Sequence, residues 1–113
     1  YCGYRCITSS KIATTNAMKT EHIPDLLPFV GVKSKKIEEN SHFRVVFICL
    51  EKGHRLDTHT SPTDAFVYVL EGNANFNLEG KAIYLSPGDG LSFGANQEHS
   101  INALTNFKML LIR

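Results

Sequence analysis

The stretch "DTHTSPTDAFVYVLEG", residues 57–72, decides the fold. His59 stands at its entrance, Phe66 to Leu70 form an apolar run, and Gly72 closes it. The run is short and rich in β-branched and aromatic side chains. Turn-forming residues bound it on both sides, so it reads as a β-strand. Both of its faces are apolar, which predicts cover on both. One side would meet the core, the other a second sheet or a partner subunit.

Outward from this strand the same grammar repeats. "NANFNL" alternates Ala74, Phe76 and Leu78 with Asn73, Asn75 and Asn77, the period-two pattern of a strand with one wet face. Glu79-Gly80 reads as a tight turn into "KAIYL", because glycine tolerates a positive φ. "SPGDG" is a second turn, followed by "LSF", "HSINAL" and "FKMLLI"; "FRVVFICL", residues 43–50, precedes the central strand. Turn signals recur about every 8 to 12 residues, which predicts an all-β sandwich or barrel. No long helical pattern alternates with the strands, which excludes a parallel α/β sheet. The barrel is expected over residues 35–113. Residues 18–34 form an N-terminal segment, where the prolines of "HIPDLLPFV" limit any helix to a short turn. Residues 1–17 lack sustained periodicity. They read as an upstream or vector-derived tail, with Met18 as the natural start.

Composition narrows the function classes. A chain of 113 residues suits one domain, and buries roughly two thirds of its unfolded surface on folding. The net charge of +1, with cations and acids interspersed, offers no footprint for nucleic acid. The longest apolar run, Val45 to Leu50, is far too short to span a bilayer, and no secretory leader is expected. Cys2, Cys6 and Cys49 are few and contain no CxxC, which argues against a disulfide framework. Cys49 is expected to pack as a small hydrophobe, and a cytoplasmic location follows as the default.

Of five histidines, His22, His42 and His54 lie in polar or turn contexts and read as surface residues. His59 and His99 each open a strand after a turn-rich stretch. In a small barrel that is the open mouth, where ligands bind. The spacing around them carries a resemblance. Gly53, His59, Ser61, Ala65 and Gly72 are separated by five, one, three and six residues; Gly88, Gly94, Asn96, His99 and Ala103 by five, one, two and three. These are the spacings of the two cupin motifs, and "FVYVLEG", "LSPGDG" and "ANQEHS" are also similar to cupin sequence. The resemblance covers about residues 35 to 113. It implies a jelly-roll barrel (a double-stranded β-helix) with its site at one end, and a homodimer.

The departures from the motifs bear on chemistry. The resemblance implies a metal held by two histidines and a glutamate from the first motif and one histidine from the second. Here His59 and His99 match, but Ser61 and Ala65 replace the other two. The family's proline and glycine in the second motif are Gly94 and Asn96, and its final asparagine is Ala103. A divalent transition ion needs about three protein donors. Asp64 would require a bulge to turn inward. Asp57, two residues before His59, would share its face in an extended strand. A divalent iron, manganese, zinc or nickel ion on His59, His99 and Asp57 is thus one expectation; two histidines completed by water is another. A metal-free pocket of His59, Ser61 and His99 is the third. Three functional readings follow. The first is a small-molecule-binding cupin with a degenerate metal site. The second is a metal-dependent dioxygenase or isomerase using His59 and His99. The third is a non-catalytic structural or regulatory dimer.

Overall fold

Nine antiparallel strands make up the protein in a computed structural model that describes residues 20–113. They are β1 (Val32–Glu39), β2 (Arg44–Leu50), β3 (Arg55–His59), β4 (Ala65–Glu71), β5 (Ala74–Leu78), β6 (Lys81–Leu85), β7 (Gly90–Phe93), β8 (His99–Ala103) and β9 (Phe107–Ile112). A five-stranded sheet runs β1-β2-β9-β4-β7 and a four-stranded sheet runs β3-β8-β5-β6. Non-sequential neighbours in both sheets give the crossing connections of a jelly roll, the expected all-β barrel. The first strand begins at Val32, inside the segment set apart as residues 18–34. The tail of residues 1–17, with Cys2 and Cys6, lies outside the described residues.

Ala74 and Phe76, read as the apolar face of an alternating strand, lie in the core, and other strands contribute alternate positions to it. Ala65, Val67 and Val69 of β4 face inward with Phe76, Ile101, Phe107 and Met109, all buried. Each large member contributes roughly 1.5–3 kcal/mol through burial. Phe66 and Tyr68 point the other way and stay 38% and 39% exposed. The cover expected on their side is therefore not supplied by a second sheet among the described residues. The β5–β6 hairpin closes as the sequence suggests: Leu78 pairs with Lys81 across Glu79 and Gly80, at φ 50° and 81°. Two consecutive positive φ values match the right-handed twist of the strands.

Two features were not legible as strands or packing. β1, "VKSKKIEE", is almost wholly exposed, and its lysines and glutamates hid it from a hydrophobic pattern. It is an edge strand, where charge protects against pairing with another chain. Residues 20–31 cross the outer face of β2 and β9 after one 3-10 turn, Ile23–Asp25. There the Cys49 thiol lies 3.3 Å from the Pro28 carbonyl oxygen. Lys108 Nζ donates to the Pro24 carbonyl at 2.7 Å and lies 3.4 Å from Glu71 and over the Phe29 ring. No helix among the described residues is long and apolar enough to cross a membrane.

Candidate functional site at the barrel mouth

A bulge in β3 sets the geometry of the site. Leu56 pairs with Ile101, but His59 pairs with His99, one residue out of register. The extra residue resets the alternation, so Leu56 and His59 lie on the same, inner side although they are three apart, with His59 still exposed at the mouth. Asp57 then points outward. Its carboxylate is 91% exposed and lies 3.3 Å from Arg55 Nε. The placement of Asp57 beside His59, expected from an unbroken strand, is corrected by that one residue.

His59 and His99 meet edge to face, with ring centroids 4.2 Å apart. His59 Nδ1 is 2.8 Å from the Asp57 carbonyl oxygen, and His99 Nδ1 is 2.9 Å from that of Gln97. A carbonyl only accepts, so each Nδ1 carries a proton, and in the neutral ring Nε2 keeps its lone pair. His22, His42 and His54 are surface residues; His22 pairs with Asp25 and His54 lies beside Glu51.

His99 is 5% exposed. Its ring stacks on Phe76 at 5.7 Å and touches Phe93 at 4.6 Å between centroids. Burial lowers its pKa below the ordinary histidine value. The Gln97 carbonyl opposes that shift and the nearby His59 adds to it. Beneath both rings is an apolar crevice of about 40 Å³, lined by Val67, Phe76, Ile101, Met109 and Leu111 among others.

Above it, His59, Thr60, Ser61, Ala65, Phe93, His99, Leu111 and Arg113 enclose a pocket of about 120 Å³. Three of the expected residues, His59, Ser61 and His99, are thereby brought together. Ser61 is buried; its carbonyl accepts the Asn96 N–H at 2.7 Å and its Oγ accepts from Arg113 Nη1 at 3.2 Å. Asn96 adopts φ 63°, a conformation asparagine tolerates, so it can stand where the family motif has glycine. Gly94, at the motif's proline position, donates its N–H to Gln97 Oε1 at 2.7 Å, which proline could not do. A broader depression of about 600 Å³ is open and lies around Phe66, Ser92 and Ile112 of the five-stranded sheet. Neither histidine lines it, although it shares Ala65 and Phe93 with the histidine pocket.

Sequence reasoning missed Arg113. The signal was available: Phe107, Met109, Leu111 and Arg113 alternate along β9 and its extension. Backbone bonds between Arg44 and Arg113 in both directions carry the pairing one residue past β9. A cation ending an inward-facing apolar series marks a charged group at the mouth.

The donor set does not fit a resident divalent metal. Among the described residues no three histidine, cysteine or carboxylate side chains converge on one point. Ala65 offers no donor, Asp57 is turned away, and the Arg113 guanidinium lines the same pocket. A second cation there would be repelled rather than held.

Comparison with known proteins agrees with this architecture. A cupin domain family model matches residues 46–113. An RmlC-like cupin protein from Desulfovibrio desulfuricans superposes with a TM-score of 0.77 at 23% identity, over 84% of this chain and 94% of that one. A cupin 2 conserved barrel domain protein from Leptotrichia buccalis gives 0.68 at 33% identity, over 72% and 39%. Salicylate 1,2-dioxygenase from Pseudoaminobacter salicylatoxidans gives 0.67 at 19% identity, over 73% and 24%. No curated protein matches the chain by sequence. With the motif spacings, the two antiparallel sheets and a family match over more than half its length, the chain belongs to the cupin family.

Proposed function

We propose that the protein binds a small molecule at the barrel mouth, through His59, Ser61 and His99, without a resident metal. Its support is the pocket of about 120 Å³ that gathers these three residues over an apolar floor. That volume is about four waters at 30 Å³ each, enough for a small molecule or the head of a larger one. The imidazole Nε2 atoms and the Ser61 hydroxyl provide directional polar contacts, while Phe93 and Leu111 contribute apolar walls.

A screen of small molecules against nitrogen-15-labelled protein, read by amide shifts, tests this. Shifts are expected at Thr60, Ser61 and His99. Shifts confined to the open depression around Phe66 and Ser92, or no shifts at all, would overturn it. The alternative is a metal-dependent dioxygenase or isomerase using His59 and His99. The likeness to salicylate 1,2-dioxygenase, at 19% identity, speaks for the fold alone. Elemental analysis of protein purified without chelator or nickel resin separates the two readings. One metal equivalent per chain, lost in both His59→Ala and His99→Ala, would replace the metal-free reading.

A further inference from the structure

Arg113 carries its charge into a pocket that no acidic side chain of the described residues lines. The titratable groups facing it from the pocket wall are His59 on β3 and His99 on β8; the loop after β3 contributes Thr60 and Ser61, and β4, β7 and β9 contribute Ala65, Phe93 and Leu111. Acidic side chains on the neighbouring elements are committed elsewhere. Asp57 is turned out beside Arg55, and Asp64 accepts the Ala95 N–H. Glu39, in the adjoining surface depression that Arg113 also borders, holds Lys36 and Arg44. Residues 1–19 contain no Asp or Glu that could supply the missing charge.

The guanidinium is also short of acceptors. Nη1 donates to Ser61 Oγ, while the buried Nε–H has no partner among the described residues. A guanidinium remains charged at any physiological pH, and its planar donors match a carboxylate. Both histidines, by contrast, present Nε2 as an acceptor in their neutral form, since each Nδ1–H is spent on a backbone carbonyl. A ligand complementary to the whole wall is therefore negative at one end and carries a hydrogen-bond donor at the other.

We propose that the pocket takes a small hydroxyl-bearing carboxylate, with Arg113 and Ser61 holding the carboxylate and the histidine Nε2 atoms accepting from the hydroxyl. This rests on the small-molecule reading of the same pocket and narrows its ligand class. The space of about 120 Å³ suits a molecule of a few heavy atoms beyond the carboxylate, or the end of a longer acid.

Lactate, propionate, lactamide and inorganic phosphate are the probes, titrated separately into full-length protein held in EDTA and followed by amide shifts. Lactate is expected to bind with shifts at Ser61, His99 and Arg113, and more tightly than propionate, which lacks the hydroxyl. Lactamide, which lacks the charge, is expected to bind about ten- to a hundredfold more weakly than lactate. Arg113→Gln should erase the preference for lactate over lactamide. Arg113→Lys should keep part of it, and Arg55→Gln, the same charge loss outside the pocket, should keep all of it. Melting curves for each variant show that the fold is retained. Lactamide binding as well as lactate, phosphate binding more tightly than lactate, or the preference surviving Arg113→Gln would overturn the proposal while leaving small-molecule binding intact. Anion binding that appears only when a divalent metal replaces EDTA would also overturn it. If the broad screen fails to find any ligand at Ser61 and His99, the binding reading itself falls, and this inference with it.

Discussion

At the scale of single residues, His99 and Gly72 show how tightly the barrel constrains its parts. Burial lowers the His99 pKa below its ordinary 6.5. Above about pH 6.5 the ring is neutral in both folded and unfolded chains, and stability is unaffected by this group. As pH falls through 6.5 the unfolded ring takes a proton that the folded one refuses. The unfolded state then binds more protons, so stability declines down to the folded pKa. Urea midpoints measured on both sides of pH 6.5 should converge in part in His99→Gln; an unchanged pH slope in that variant would refute the assignment. Gly72 makes a different demand. At φ 81° an added Cβ would lie 1.9 Å from the Asn106 carbonyl oxygen, whereas at Gly53, φ 86°, nothing lies within 4 Å. Gly53→Ala should cost about 1–2 kcal/mol, the left-handed backbone penalty alone. Gly72→Ala should exceed about 3 kcal/mol, because backbone must move. Equal losses in urea denaturation would contradict the steric distinction. The site's legibility follows the same division. His59, Ser61 and His99 were readable because motif spacing survives the replacement of ligands. The outward turn of Asp57 was not, since a one-residue bulge leaves no mark in composition yet reverses which face a side chain takes.

Strands whose burial alternates were legible as elements; the segments that cover them were not. β5 carries its period-two pattern openly, β4 was legible as a short β-branched and aromatic run although its one-sided burial was not, and the β5–β6 turn is written in Glu79-Gly80. β1 pairs with β2 along its length, yet its side chains answer to solvent rather than to a core, so no apolar pattern could reveal it. The strap of residues 20–31 is held by a tertiary bond, Lys108 Nζ to the Pro24 carbonyl, between positions far apart in the chain. It shields Cys49, whose thiol pKa is raised chiefly by burial. Lys108→Met keeps the aliphatic stem and removes the charged donor. It should cost about 1.5–3 kcal/mol, the range for a hydrogen bond to a charged group. It should also speed alkylation of Cys49, followed on its own peptide by mass spectrometry so that Cys2 and Cys6 do not interfere. Unchanged labelling would mean that apolar packing alone, not the lysine, holds the strap in place.

For the whole molecule, the outer face of the five-stranded sheet raises the question of a second copy. Phe66 and Tyr68 stand side by side on it, each more than one third exposed, and Phe66 pairs across the sheet with Ser92 and Ile112 around the open depression. Two neighbouring aromatics on a strand that is apolar on both faces are better accounted for by a covered surface than by a wet one. The dimer implied by the cupin resemblance would cover it. This face is the reverse side of the strand that supplies Ala65 to the pocket, so pairing would brace one wall of the site without entering it. Sedimentation velocity at micromolar concentration is expected to show a two-chain species. Phe66→Lys combined with Tyr68→Lys should return it to one chain while leaving the shifts that lactate induces at Ser61 and His99 in place. A wild-type protein that sediments only as a single chain would refute pairing. A doubly substituted protein that becomes monomeric and also loses those shifts would show that the pocket depends on the interface rather than standing within one barrel.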